Sequence, residues 1–324
     1  MKEANYSKRM VIALGGNAIL QAGQKGSVLQ MHTNLQAACR QLAPIIASWY
    51  QLVITHGNGP QVGNILIQNE KGKGEVPSMP LDICGAQSQG MLGYLIQQSL
   101  RQELLGLGKH REIAALITST LVDSGDPAFS SPTKPIGPWL RKDDLPRLFP
   151  TSTTYQKLGD RGWRRLVASP QPLHIENTKI IETLLQAGAV VVACGGGGVP
   201  VVQNDDVRWQ GVEAVIDKDL ASMHLAIELK AEILLILTDV PAVFLNYGTK
   251  RQRAIERIST GELRRHLERG AFPPGSIGPK VQAAVGFVEA GGEKAIISSM
   301  TQAADALKGK CGTTVLDSCS LKPK

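Results

Sequence analysis

The sequence predicts an α/β fold: three αβα layers on a mainly parallel, open sheet. Short apolar runs alternate with longer stretches whose apolar positions recur at three and four. Three of those runs close in glycine-rich turns. With 324 residues, 43% hydrophobic but only 4% aromatic, the core must be built from Val, Ile, Leu and Ala. That length suits one large domain with an insertion, or two domains. We read residues 1–324 as one domain.

The elements follow in order. Met10–Leu14 reads as a buried strand, residues 31–48 as a helix and Leu52–Thr55 as a second strand. Ala86–Leu105 is a long helix and Ile113–Ile117 a third strand. From 118 to 169 the pattern breaks into Pro, Gly, Ser, Thr and charge, as in DPAFSSPTKPIGPW. A long aperiodic stretch inside a domain is usually a functional loop system. Trp139, Tyr155 and Trp163 within it imply packing, so an inserted lid subdomain is expected over the site. Alternation resumes with a helix at Ile175–Ala187, a strand at Ala189–Cys194 and a helix at Asp219–Leu229. The apolar strand Ile233–Thr238, a helix at Ser276–Ala290 and the strand Ala295–Ser298 complete the series.

Charge and cysteines bound the function. Net charge is +7, but no block of five like charges or aromatic-studded basic ribbon occurs. Nucleic acid is therefore not an expected partner; solvated surface plus a phosphate site accounts for the excess. The five cysteines are odd in number and form no CxxC pair, which argues against a disulfide framework or zinc and suits the cytoplasm. No segment reaches the ~18 apolar residues of a membrane span, so no membrane partner is expected.

The chemistry concentrates at the glycine turns Leu14–Asn17, Thr55–Pro60 and Cys194–Gly198. In open parallel sheets, ligands sit at the carboxyl ends of strands. Glycine admits close approach, and turn N–H groups backed by a helix N-terminus hold anions. Three such turns imply a crevice for phosphates or another anion. Neither GxxxxGK[ST] nor a GxGxxG closing the first strand is present, which disfavours a Walker loop and an NAD site. Lys218 and Lys280 stand at helix starts, where fixed positive charge would stabilise a phosphoryl group in flight. Exposed lysines paired with their neighbours fit the spacing equally well. Asp217 and Asp219 flank Lys218 and would hold its ammonium or bind a metal. Asp239 ends a strand, where it would meet Mg²⁺, meet a ribose or cap a turn. His56 has no Ser or Cys partner, so nucleophilic catalysis is not expected.

Taken together, ALGGNA at 13–18, THGNGPQVG at 55–63, MPLDICGAQSQGMLGY at 79–94, PTKPIGP at 132–138, RGWRRLVASPQP at 161–172, GGGGVPV at 195–201, GVEAVIDKDLA at 211–221, ILTDV at 236–240 and PGSIGPKVQAA at 274–284 resemble the carbamate kinase family of the amino-acid-kinase superfamily. Many other members of that superfamily carry a lysine just before the first glycine pair. Here Ala13 occupies that neighbourhood, and the resemblance implies that Lys218 supplies the charge.

The resemblance implies Mg²⁺-dependent, reversible phosphoryl transfer from carbamoyl phosphate to ADP, giving ATP and carbamate. It implies that Gly15, Gly16, Asn17, Gly57, Asn58 and Gly59 cradle carbamoyl phosphate or carbamate. Lys218 and Lys280 neutralise the phosphoryl group, Asp219 orients both, and Lys134 reaches in from the lid. Thr238, Asp239, Val240, Ser276 and Gly278 line the nucleotide side, with Mg²⁺ on the nucleotide phosphates rather than on protein ligands. A homodimer is implied, as is a place in fermentative ATP synthesis from arginine- or purine-derived carbamoyl phosphate. Two rivals are a kinase of the same fold acting on another acceptor, and a catalytically weak sensor.

Overall fold

The computed structural model describes residues 8–48, 51–145, 153–204, 208–273 and 277–321. β1 (Arg9–Leu14) leads to α1 (Val28–Ile46), β2 (Gln51–His56), α2 (Gly59–Gly72) and α3 (Leu81–Gly106). Next come β3 (Ile113–Ala115), β4 (Ser119–Val122), β5 (Lys134–Leu140), β6 (Tyr155–Lys157), β7 (Trp163–Val167) and β8 (Pro172–Ile175). α4 (Thr178–Gln186), β9 (Val190–Val192), β10 (Val199–Gln203), β11 (Trp209–Gly211) and α5 (Lys218–Glu228) follow. β12 (Ile233–Thr238), β13 (Val243–Leu245), β14 (Arg253–Ile255) and β15 (Arg257–Ser259) precede α6 (Thr260–Glu268) and α7 (Ile277–Glu289). β16 (Lys294–Ser299), α8 (Ala303–Leu307) and β17 (Thr313–Leu316) complete the fold.

The main sheet runs β15-β17-β16-β12-β1-β2-β9-β3 among the described residues. It is parallel except where β16 meets β17. Its two faces follow the strand period of two. Val11, Ala13, Val53, Leu234 and Ile236 pack under α5 and α7. Met10, Ile12, Leu14, Leu52, Ile54 and Leu235 pack under α1, α3 and α8. Both faces are therefore buried, as a parallel sheet requires. The ends of β1, β2 and β12 come together because Leu14 pairs with both His56 and Leu237. This register gathers the first two glycine turns and Thr238 at one edge.

The αβα expectation holds, with local corrections. The first helix starts at Val28, not 31, because Ser27 and Gln30 form a reciprocal capping box. Ile175 ends a strand rather than opening a helix; Asn177 turns the chain at φ 69° and α4 begins at Thr178. The third strand stops at Ala115, and the strand expected at 189–194 spans Val190–Val192. The helix expected at 276–290 opens at Ile277; Ser276, its expected start, lies outside the described residues.

The aperiodic stretch contains short strands. β4 joins a second sheet, β11-β10-β4-β8, whereas β5, β7 and β6 form a three-stranded sheet of their own. Trp139 in that small sheet lies under the guanidinium groups of Arg161 and Arg164, 5.9 and 5.6 Å from its ring centroid. Cys39, Cys84 and Cys194 are buried, Cys311 is half-buried and Cys319 exposed, and all five are free thiols. No helix among the described residues is long and apolar enough to cross a membrane.

Candidate active site

The site is built where α5 begins. Asp217 is its N-cap: Oδ1 accepts from the N–H of Asp219 at 2.9 Å and of Leu220 at 3.4 Å. The helix is fixed to β2 by the hydroxyls of Thr55 and Ser222, 2.6 Å apart and buried. Lys218 and Asp219 thus enter the sheet edge on a rigid first turn. Asp219 is 3% exposed and holds one lysine on each oxygen: Lys218 Nζ lies 2.6 Å from Oδ1 and Lys280 Nζ 3.0 Å from Oδ2. Lys280 comes from the first turn of α7. The third cation arrives on β5, where Lys134 Nζ sits 2.5 Å from Asp217 Oδ2.

Burial and mutual charge set the ionisation. Burial pushes the Asp219 carboxyl up, but Lys218 and Lys280 outweigh it and hold it at about 2. Burial lowers Lys218, and the charge of Lys280 adds to this against the pull of Asp219. Burial also opposes charge on Lys280, yet Asp219, Asp217 and Asp239 raise it on balance. Buried charges persist only when paired, and here the pairing is a bridged lysine couple. His56 is buried on the neighbouring strand and lowered to about 4, chiefly by desolvation. It is neutral near pH 7 and so unsuited to deliver a proton.

Two cavities meet at this cluster. One, of about 180 Å³, is lined by Gly16, Gly57, Asn58, Gly59, Gly196 and the three lysines, with Pro135, Ile136, Val215 and Ile216 as apolar wall. The other, of about 580 Å³, includes Gly15, Gly16, Asn17, Thr238 and Asp239. Gly16 and Lys280 border both. Asp239 is held by Asn17 Nδ2 at 3.1 Å and Thr238 Oγ1 at 3.0 Å. Val240 and Gly278 line neither cavity, and Ser276 lies outside the described residues.

The glycines divide by task. Gly15 donates its N–H to Leu237 O and Gly57 donates to Leu14 O, so these two shape the turns. The N–H groups of Gly16, Asn17 and Gly59 have no backbone acceptor among the described residues. The third turn differs from the expected anion loop. A Cβ on Gly195 would meet the His56 ring at 2.6 Å, and one on Gly197 the carbonyl of Ile216 at 2.7 Å. This run is glycine because side chains and the Ile216 carbonyl pack on its backbone, and of it only Gly196 reaches the cavity.

The pairing of Lys134 with Asp217, 83 residues apart, escaped the sequence reading, which set Asp217 on Lys218 or a metal; an Asp just before a helix start is the signal that could have marked its capping role. Ser88, whose Oγ accepts from Asn58 Nδ2 at 2.8 Å, escaped that reading too. Nothing in the sequence pattern marks it.

Two anion-sized spaces meeting at a lysine on a carboxylate bridge suit phosphoryl transfer, and the relatives agree. Residues 8–299 match the amino acid kinase family. The carbamate kinase of Pyrococcus furiosus is 48% identical over 95% of this chain and 99% of its own length. The chain belongs to the carbamate kinases of the amino acid kinase family. As a carbamate kinase relative it is a phosphotransferase. A Staphylococcus aureus carbamate kinase 2 is 42% identical, covering 95% of this chain and 99% of that one. The carbamate kinase of Giardia lamblia, solved with AMP-PNP, superposes with a TM-score of 0.88 at 40% identity, covering 96% of this chain and 98% of that one.

Proposed function

We propose that the chain transfers a phosphoryl group reversibly between carbamoyl phosphate and ADP, with the Lys218–Asp219–Lys280 bridge at the transfer point. The observation that carries this reading is the meeting of the two cavities at Gly16 and Lys280. Carbamoyl phosphate occupies the smaller one. The nucleotide phosphates approach from the side of Thr238 and Asp239. A β-phosphate oxygen of ADP attacks phosphorus, the P–O bond to the carbamoyl group breaks, and carbamate leaves with the electron pair. No proton needs to move, which agrees with a neutral His56. The protein's task is positioning and cancelling charge between two anions.

Mg²⁺ fits as a passenger on the nucleotide. Asp217 and Asp219 are committed to lysines, and no group of three His, Cys, Asp or Glu able to hold a metal exists among the described residues. Asp239 is the carboxylate left beside the nucleotide side. Mg²⁺ commonly binds through substrate phosphates with one or two carboxylates; there it would neutralise phosphate charge.

Residues 118–169 act as a lid in this reading, and Lys134, with Pro135 and Ile136 beside it, is where it meets the site. A homodimer is supported by α3, where Ile83, Tyr94 and Leu105 are exposed. They are spaced by eleven, about three turns, and so share one face. The enzyme works in the cytoplasm and feeds ATP synthesis from carbamoyl phosphate of arginine or purine breakdown.

ATP formation from ADP and carbamoyl phosphate, with and without Mg²⁺, is the test. Fast Mg²⁺-dependent turnover is expected. ADP binding without turnover would overturn the reading in favour of a sensor.

A further inference from the structure

Asn58 raises a question that the lysines do not. An anion site needs donors, and the cavity supplies them as Lys134, Lys218, Lys280 and turn N–H groups. Asp217 and Asp219 also line it, but their carboxylates are engaged with those lysines. Asn58 is the neutral polar side chain in the lining. Its amide presents either a donor or an acceptor, depending on which way it is turned.

The surroundings decide the direction. A Cβ on Gly196 would lie 2.2 Å from Asn58 Cγ, 2.2 Å from Nδ2 and 2.3 Å from Oδ1. The flat face of the amide therefore rests on Gly196, which leaves two settings related by a half-turn. Ser88 chooses between them. Its hydroxyl carries one hydrogen, which goes to Gly85 O at 2.6 Å within α3. Ser88 Oγ is buried and can then only accept. Asn58 must offer Nδ2, at 2.8 Å, and Oδ1 is turned away from Ser88. Oδ1 receives no hydrogen bond among the described residues. The result is an unpaired neutral acceptor in a pocket of donors.

We infer that Ser88 is a positioning residue for substrate selectivity: by fixing the Asn58 amide it points Oδ1 at the NH₂ of the carbamoyl group. This rests on the proposed reaction and adds the means of choosing its donor. Acetyl phosphate carries the same acyl phosphate but a methyl in place of NH₂, and cannot satisfy Oδ1. A site built to hydrogen-bond an NH discriminates against the analogue that lacks it.

The test compares kcat/KM for carbamoyl phosphate and acetyl phosphate, each with ADP, in the wild type and in Ser88→Ala. In the variant the amide is free to turn. Carbamoyl phosphate should lose about tenfold, the worth of one hydrogen bond, while acetyl phosphate changes less than about twofold. A parallel loss on both donors would mean that Ser88 only supports the fold and would overturn the inference, as would no change on either. If Ser88→Ala melts early, Ser88→Cys leaves no cavity, weakens the hydrogen bond and carries the same comparison. A wild type inactive on both donors would instead overturn the proposed reaction.

Discussion

Lys218 and Lys280 were legible as lysines at helix starts, and the family resemblance implied Asp219 as the group that orients both; spacing alone could not bring Lys280 to it. Asp219 stood next to Lys218 in sequence, while Lys280 is 61 residues away and meets it only through the fold. Lys218→Ala should lower ATP formation by roughly 10²–10³, comparable to removing one strong transition-state donor; steady-state kinetics would show it. His56 gives a second prediction. Its folded value of about 4 lies below the ordinary 6.5, so the unfolded chain binds the proton more readily. The stability contributed by burying neutral His56 is whole above pH 6.5. It drains as pH falls and is lost below about 4. The gap is worth roughly 3 kcal/mol. Urea midpoints followed from pH 7 to pH 4 should decline, and more steeply than in His56→Gln.

At the scale of elements, α5 is the part on which the site depends. Asp217 caps it with one oxygen and holds Lys134 with the other. Asp217→Asn keeps the capping acceptor and removes the charge, so its melting temperature should stay near wild type while activity drops. Asp217→Ala loses the cap as well and should cost about 1 kcal/mol of stability beyond the Asn variant, read by thermal melting. The third glycine turn shows why motif reading overreached. Glycine admits a ligand or a neighbouring side chain equally well, and the sequence cannot tell which. Gly196 sits at φ 66° with Asn58 where a Cβ would go. Gly196→Ala should therefore lower both stability and activity.

The whole molecule was legible wherever period and burial agreed. The core strands β1, β2, β12 and β16 were found as apolar runs because both of their faces are buried. β5 to β8 and β13 to β15 were not, because strands of three to seven residues are too short to show a clean period, and β5, KPIGPWL, is further broken by Pro and Gly. Their pairing is set by partners distant in sequence, as when β4 joins β10. Oligomeric state belongs to this scale too. If the exposed stripe of α3 is a subunit contact, Tyr94→Arg should shift the mass seen by light scattering to the 34.7 kDa of one chain. A wild type already at that mass would remove the dimer from the reading.

The placement of the thiols has a practical consequence. Burial raises Cys39 and Cys84, takes Cys194 to about 12, and leaves these three with little thiolate to react. No cysteine lines either cavity of the site. Cys319 is the exposed thiol, near the end of the chain. A maleimide dye should attach there first and leave turnover intact, giving a fluorescent handle on the enzyme without engineering a single residue.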